Sequence, residues 1–224
     1  MAFLRLSWRA GCACWLPRPY GFLAVVVNAW MIFAAPAFAQ NITILALGDS
    51  LTAGFGLVQS DSFPMQMERA LRQSGRNVRI INAGVSGDTS AGGRSRLAWA
   101  LAESPDAVIL ELGANDGLRG LEPQQTEANL DAMIKEIKKR KIAVLLAGMR
   151  APPNLGSEYE AEFNGLYRRL AEKHKILFYP FFLDGVAAIP SLNQGDSIHP
   201  NAQGVSVIVK RMRTIVLRLI SKIK

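Results

Sequence analysis

The chain has 224 residues, of which 50% are hydrophobic and 20% are charged, with a formal net charge of +8. This balance favours a globular body with a substantial core and excludes a disordered chain, and the length favours one domain. Both cysteines, Cys12 and Cys14, lie near the start, which excludes a disulfide framework or a cysteine metal site from the rest of the chain.

The first 39 residues have the pattern of a signal peptide. Every charge before residue 20 is positive, and residues 21–35 (GFLAVVVNAWMIFAA) are apolar apart from Asn28. The segment ends in AFA, with small residues where a signal peptidase reads them, which predicts cleavage before Gln40. A retained anchor is less favoured because about 15 apolar residues are fewer than the roughly 20 that span a bilayer. We expect a periplasmic or secreted domain over residues 40–224.

The body of the chain alternates short apolar runs with amphipathic segments, which is typical of strands joined by crossover helices. Predicted strands cover residues 42–48, 78–83, 107–113, 142–148 and 176–180. Predicted helices cover residues 62–74, 93–103, 123–140 and 158–173, with a terminal helix from about Asn201. The strands are apolar on both faces, as in a covered parallel sheet. The sequence therefore predicts an open, doubly wound α/β sheet of about five strands, whose ligands bind at the carboxyl ends of the strands.

Six basic residues are concentrated near the C-terminus and interleaved with aliphatic residues at helical spacing. They are Lys210, Arg211, Arg213, Arg218, Lys222 and Lys224. We interpret them as the solvated face of an amphipathic helix; a patch for phosphate or lipid headgroups is the alternative. The segment has no interleaved aromatic residues to stack on bases, so we expect no nucleic-acid partner.

A serine and a histidine follow the first and last predicted strands. Ser50 comes directly after Gly48-Asp49 at the end of the first strand, where position alone favours a helix cap over a nucleophile. Asp196 stands three residues before His199, so on a tight turn it can hold Nδ1 and leave Nε2 free to accept a proton from a serine. The other histidine, His174, lies between lysines near a helix end, and we interpret it as a surface or capping residue. The sequence thus predicts a Ser50, His199 and Asp196 triad.

Acyl transfer also requires hydrogen-bond donors for an oxyanion, and the second and third strands end in suitable residues. A backbone N–H at Gly87 and the side-chain amide of Asn115 can donate without titrating. Thr52 stands where the G-x-S-x-G elbow of the α/β-hydrolases requires glycine, which disfavours that class. Two separated histidines without cysteines give poor support to zinc, and we expect no metal and no cofactor.

Four blocks of this sequence resemble those of the SGNH hydrolases, also called the GDSL family. GDSL occupies residues 48–51, the glycine block contains Gly87 in SGDTS, the G-x-N-D block contains Asn115, and the D-x-x-H block joins Asp196 to His199. Within the family, residues 111–130 (ELGANDGLRGLEPQQTEANL) and the DSIHPN turn look most like the bacterial acyl-CoA thioesterase I, lysophospholipase and arylesterase group.

The resemblance implies a flavodoxin-like three-layer α/β/α sandwich, a periplasmic location and hydrolysis of a broad range of acyl esters and thioesters. It also implies an oxyanion hole made by the backbone N–H groups of Ser50 and Gly87 with the side chain of Asn115. Asp49 and Asp116 are expected to organise their loops and not to belong to the triad.

Two loops after the fourth and fifth strands are rich in apolar residues and could wall an acyl-chain groove or simply anchor to the core. The groove hypothesis assigns substrate contacts to Met149, Pro153, Leu155, Tyr159 and Phe181. The expected partner is a small acyl ester or thioester such as a lysophospholipid, bound by a monomer with only transient contact with a membrane surface. The alternatives are a carbohydrate acetylesterase with the same triad and, less favoured, a non-catalytic binding protein.

Overall fold

The computed structural model describes residues 41–223. The predicted signal peptide, its cleavage site and the terminal Lys224 lie outside the described residues. Within residues 41–223, no helix is long and apolar enough to cross a membrane.

Five parallel strands form one sheet, as the sequence predicts. Its strands are β1 (Ile42–Gly48), β2 (Val78–Gly84), β3 (Ala107–Glu111), β4 (Ala143–Ala147) and β5 (Leu177–Tyr179). They lie side by side in the order β2-β1-β3-β4-β5, every neighbouring pair is parallel, and the strand order reverses at β1. Because ligands of such sheets bind where the order reverses, the carboxyl end of β1 is where a site is expected.

Seven α-helices connect and flank these strands in the described residues. They are α1 (Ser50–Ala53), α2 (Phe63–Gln73), α3 (Ser90–Ala100), α4 (Ala114–Leu118), α5 (Pro123–Lys139), α6 (Ser157–His174) and α7 (Ala202–Ile220). Helix α2 packs on α7, while α3 packs on α5 and α5 on α6. The apolar strands are thus covered by helices, and the predicted three-layer α/β/α architecture is confirmed.

Two of the boundaries that differ from the predicted ones do so for clear local reasons. Helix α3 begins three residues early, at Ser90, because the side chain of Thr89 caps it by accepting a hydrogen bond from the N–H of Gly92. Strand β3 ends two residues early, at Glu111, because Gly113 adopts a left-handed conformation (φ 115°) that turns the chain into α4.

The C-terminal helix α7 is amphipathic, as predicted. Its apolar stripe packs into the core through residues that include Val205, Ile208, Met212 and Val216. All five described members of the predicted basic set, Lys210, Arg211, Arg213, Arg218 and Lys222, are exposed, and Arg211 pairs with Asp184 at 2.8 Å. These charges therefore form a solvated face.

Candidate active site

Ser50 lies at the carboxyl end of β1, in the first turn of the four-residue helix α1. Asp49 caps this helix, because its Oδ1 accepts a hydrogen bond from the N–H of Leu51 at 3.0 Å. At the other end, Gly54 adopts a left-handed conformation that ends the helix. The serine is thereby fixed on a short, capped turn at the mouth of the sheet.

The loop before α7 brings His199 to this serine. Asp196 Oδ1 accepts from the backbone N–H groups of Ile198 and His199, both at 3.0 Å, and its Oδ2 lies 2.6 Å from His199 Nδ1. On the opposite side of the ring, His199 Nε2 lies 2.9 Å from Ser50 Oγ. Ser197 completes the tight turn with φ of 60°. One carboxylate thus shapes the loop and orients the imidazole, so that Nε2 faces the serine hydroxyl.

Hydrogen bonds also set the charge state of this carboxylate. The backbone N–H of His199 has the largest effect, followed by its imidazole and by the N–H of Ile198, and together they lower the pKa of Asp196 to about 2. Asp196 therefore keeps its negative charge down to about pH 2.

The imidazole of His199 also contacts the segment that directly follows α1. The ring of Phe55 lies 4.7 Å from the ring of His199, between centroids. The side-chain amide of Gln194 donates to the carbonyl oxygens of Phe55 and Pro200 at 2.7 and 3.0 Å. The histidine loop is thereby tied to the segment that carries the serine.

The predicted oxyanion donors follow the carboxyl ends of β1, β2 and β3. Gly87 has φ of 84°, which an L side chain rarely adopts, so glycine suits this turn. Within residues 41–223, neither the N–H of Ser50 nor that of Gly87 donates to a protein acceptor, so both are free for a ligand. Asn115 Nδ2 donates to Asp88 O at 2.9 Å and lies 3.3 Å from Asp49 Oδ2. These two acceptors hold the amide at the site.

A buried carboxyl pair lies beneath the serine turn. Glu111 is fully buried at the end of β3, where its Oε2 accepts from Thr52 Oγ1 at 2.6 Å and from the N–H of Asp49 at 3.4 Å. A Cβ at Gly48 would come within 2.4 Å of this Glu111 oxygen, so only glycine fits there. Burial, together with the nearby negative charge of Asp49, raises the pKa of Glu111 well above its ordinary 4.5, and burial raises that of Asp49 as well.

We predict that Glu111→Gln relieves a loss of stability at higher pH. As pH rises above about 4.5, the unfolded chain releases the Glu111 proton while the folded protein retains it, so the wild-type free energy of unfolding decreases. Glutamine does not titrate, so the melting temperature of the variant relative to wild type is expected to increase between about pH 5 and pH 8. Glu136→Gln, which removes an exposed carboxylate paired with Arg140, is the control. A difference that is independent of pH would contradict a raised pKa.

Asp116 organises the neighbouring loops, as expected. Its carboxylate accepts from the N–H and hydroxyl of Ser90 at 2.7 and 2.5 Å and from Thr126 Oγ1 at 3.0 Å. Asn129 donates to the same serine hydroxyl at 3.0 Å. This network joins the start of α3 to α4, which carries Asn115, and to α5.

An apolar cleft of about 430 Å³ opens at Ser50, Asn115 and His199. Its size is within the range of small-molecule sites. Its apolar walls include the side chains of Leu118, Met149, Pro152, Pro153, Phe181 and Leu183. Three predicted substrate contacts, Met149, Pro153 and Phe181, are therefore lining residues. Sequence reasoning missed Leu118, Ala187 and Ile198, although Ile198 lies directly before His199 and could have been inferred from that position.

The other two predicted contacts, Leu155 and Tyr159, do not line this cleft. The hydroxyl of Tyr159 donates to the carbonyl of Leu121 at 2.6 Å, and its ring stacks on Phe163 with centroids 5.9 Å apart. Leu155 lies beside Tyr159 along a separate surface depression that also includes Pro123. The loop turns away from the cleft after Pro153, so both residues are withdrawn as substrate contacts.

His174 is the last residue of α6 and is buried, which corrects its interpretation as a surface residue. Its Nε2 lies 2.7 Å from Asp131 Oδ1, and its carbonyl accepts a hydrogen bond from the side chain of Lys138. It therefore joins α6 to α5, away from Ser50. In the part of the chain that the structure describes, no group of three or more His, Cys, Asp or Glu side chains is arranged to hold a metal ion.

Comparisons with known proteins identify relatives over most of the chain. Residues 46–207 match the model of the GDSL-like Lipase/Acylhydrolase family. The chain is 41% identical to Esterase TesA of Pseudomonas aeruginosa over 77% of its length and 85% of the relative's. It is 39% identical to Thioesterase 1/protease 1/lysophospholipase L1 of Escherichia coli strain K12 over 71% of its length and 76% of the relative's. A crystal structure of AlinE4, an SGNH-hydrolase family esterase, superposes with a TM-score of 0.68 at 49% identity, covering 80% of this chain and 96% of that one.

Proposed function

Because this chain belongs to the GDSL-like lipase/acylhydrolase family, we propose that it hydrolyses carboxylic esters through an acyl-enzyme formed on Ser50. The observation that carries the proposal is the continuous line of contacts from Asp196 Oδ2 to His199 Nδ1 and from His199 Nε2 to Ser50 Oγ, at 2.6 and 2.9 Å. This arrangement can remove the proton from an otherwise weak hydroxyl nucleophile.

In the proposed mechanism, Ser50 Oγ attacks the acyl carbonyl carbon as its proton passes to His199 Nε2. Asp196 stabilises the imidazolium that forms, since it stays ionised. His199 then donates the proton to the leaving alcohol. In the second half, a water molecule loses a proton to His199 and attacks the acyl-enzyme, releasing the acid and regenerating the serine.

The tetrahedral intermediates require stabilisation of a negative oxygen. The free N–H groups of Ser50 and Gly87 and the amide of Asn115 are the proposed donors. The two backbone N–H groups are fixed by the fold and need no reorganisation when charge develops, which is the main advantage of such donors. The 3.3 Å contact of Asn115 Nδ2 with Asp49 is the longer of its two, so this is the N–H that we expect to turn toward the oxyanion.

The cleft supports an acyl chain as the part of the substrate that is recognised. Its walls are mostly apolar, and apolar walls favour alkyl or aryl groups over a hydrated sugar. Arg150 stacks over the Phe181 ring at 4.8 Å from its centroid, which places a cation at the same cleft. We therefore propose lipid-like and aryl esters, including lysophospholipids, as the substrate class.

Thioester hydrolysis is proposed as a second capacity of the same site, because an acyl thioester presents the same carbonyl to Ser50. The name of the relative from Escherichia coli includes both thioesterase and lysophospholipase. We also propose that the enzyme is exported after cleavage before Gln40 and acts as a monomer in the periplasm or outside the cell.

A chain-length series tests this function. We expect p-nitrophenyl esters to be hydrolysed with kcat/KM increasing from acetyl to medium or long chains, since each buried methylene contributes up to about 0.8 kcal/mol. Ala187→Phe, which fills the cleft wall, is expected to lower kcat/KM for long esters by about tenfold or more while leaving acetate nearly unchanged.

Ala102→Phe is the control, because this exposed alanine lies beyond the opposite end of the sheet, just before β3. An acetyl-only profile would contradict the acyl-chain cleft and favour a carbohydrate acetylesterase. Failure to hydrolyse any ester would contradict the proposed function.

A further inference from the structure

Arg96 lies on α3 and has no role in the proposed mechanism. It is nevertheless largely buried, with 17% of its side chain exposed. A buried arginine is costly unless its N–H groups are paired. The positions of its acceptors therefore indicate what its charge holds in place.

All three kinds of guanidinium nitrogen donate to different segments of the site. Nε donates to Asp88 Oδ2 at 2.6 Å, Nη1 to the carbonyl of Ala83 at 2.8 Å, and Nη2 to the carbonyl of Gly48 at 2.8 Å. The guanidinium is planar and rigid, so it fixes the distances among its acceptors in a way that a lysine ammonium cannot.

These acceptors are next to the catalytic elements of the proposed mechanism. Gly48 is the last residue of β1, two positions before Ser50. Asp88 follows Gly87, the proposed oxyanion donor, and its own carbonyl accepts from Asn115 Nδ2 at 2.9 Å. Arg96 thus links the strand that carries the nucleophile to the loop that carries the oxyanion donors.

We propose that Arg96 is a positioning residue that sets the distance from Ser50 to the oxyanion donors at Gly87 and Asn115. The inference rests on the proposed function and extends it to a residue that touches no substrate. Without the guanidinium, the backbone bond from the N–H of Val85 to the carbonyl of Gly48 remains, but the link from Asp88 to β1 is lost, so the donors lie farther from the oxyanion. Transition-state stabilisation then falls, while binding in the cleft is maintained.

Arg96→Ala is expected to lower kcat on a p-nitrophenyl ester by about 10- to 100-fold, with KM within about twofold of wild type. A loss of this size is typical when a catalytic group is misplaced by about 1 Å. A trifluoromethyl ketone, which adds to the serine and places an oxyanion in the hole, should lose affinity by a similar factor. Millimolar ethylguanidinium should restore part of the kcat lost in Arg96→Ala. The kcat of Arg96→Lys should stay below that of the rescued Arg96→Ala protein.

Arg72→Ala is the matched control, because Arg72 also bonds a strand carbonyl (Val78, 2.8 Å) and a carboxylate (Glu68, 2.9 Å), but at the amino end of β2. It is expected to leave kcat and ketone affinity unchanged whatever its effect on the melting temperature. If Arg96→Ala does not fold, the same comparison is made with Arg96→Lys, for which we expect a smaller decrease in kcat at constant KM.

Two results separate this inference from the proposed function. Wild-type turnover that depends on Ser50, combined with unchanged kcat and ketone affinity in the Arg96 variants, would overturn the positioning role alone. Wild-type protein without turnover that depends on Ser50 would overturn the proposed function itself.

Discussion

Replacing Ser50 by alanine is expected to lower kcat on p-nitrophenyl esters by about four to six orders of magnitude, with little change in KM. The variant keeps the cleft and the oxyanion donors but loses the atom that forms the acyl-enzyme, which is the largest single loss available to a triad enzyme. The helix cap at Asp49 does not involve the Ser50 side chain, so folding should be preserved. Release of p-nitrophenol and a melting curve measure the two effects separately.

Ser74→Ala provides the matched control for this experiment. The Ser74 hydroxyl donates to the carbonyl of Ala70 at the exposed end of α2, so the activity of this variant should equal that of wild type. If Ser50→Ala retained more than a few per cent of the wild-type rate, another nucleophile would have to be sought.

Replacing Asp196 by asparagine is expected to lower kcat by about 10⁴-fold. Asparagine has one side-chain oxygen, which cannot accept hydrogen bonds from Nδ1–H and from the backbone N–H groups of Ile198 and His199 at once. The imidazole therefore takes the wrong tautomer or turns away from Ser50. Since the pKa of Asp196 is lowered to about 2, the wild-type carboxylate is charged at every pH above about 3. The deficit of the variant should therefore extend across the whole pH range in which wild type is active.

Asp184→Asn is the control for the charge change, because this exposed aspartate pairs with Arg211 and does not line the cleft. Its rate should remain close to that of wild type. A deficit in Asp196→Asn that disappeared in part of the active pH range would contradict the role of Asp196 as a permanently charged orienter.

The fold was predictable from the sequence because its elements have strong, regular patterns. The runs that became β1 and β3 are apolar on both faces, as buried parallel strands require. Helix α5 begins at Pro123 and ends in lysines, so its bounds differ from the prediction by only one residue. The two shortest helices, α1 and α4, were not predicted, because four or five residues carry no helical periodicity.

The polar residues of the candidate site were also predicted from the sequence, because each follows a strand and its side chain suits one chemical role. The cleft was harder to predict, because an apolar loop residue looks alike whether it faces a ligand or the core. Leu155 and Tyr159 illustrate this, since a direction change after Pro153 moves both away from Ser50. Ala187 carries no recognisable signal at all.

Buried ionisable groups were the other features that sequence could not reveal. In the sequence, Glu111 is a single polar residue at the end of an apolar strand. Its pKa depends on Thr52 and Asp49, which are distant in sequence. Arg96 reads as an ordinary surface arginine of a helix, but its acceptors lie on β1, on β2 and in the loop before α3. Such roles depend on which carbonyls the fold brings within reach.

Covalent labelling tests the central claim most directly. The protein that begins at Gln40 is incubated with a p-nitrophenyl alkylphosphonate, in which an activated serine displaces p-nitrophenol and retains the phosphonyl group, and the digested protein is analysed by mass spectrometry. We predict one phosphonyl group on the peptide that contains Ser50, appearing at the rate at which esterase activity is lost, and no labelling in Ser50→Ala. Loss of esterase activity with the label on another residue, or full activity in protein whose Ser50 is completely labelled, would contradict the account.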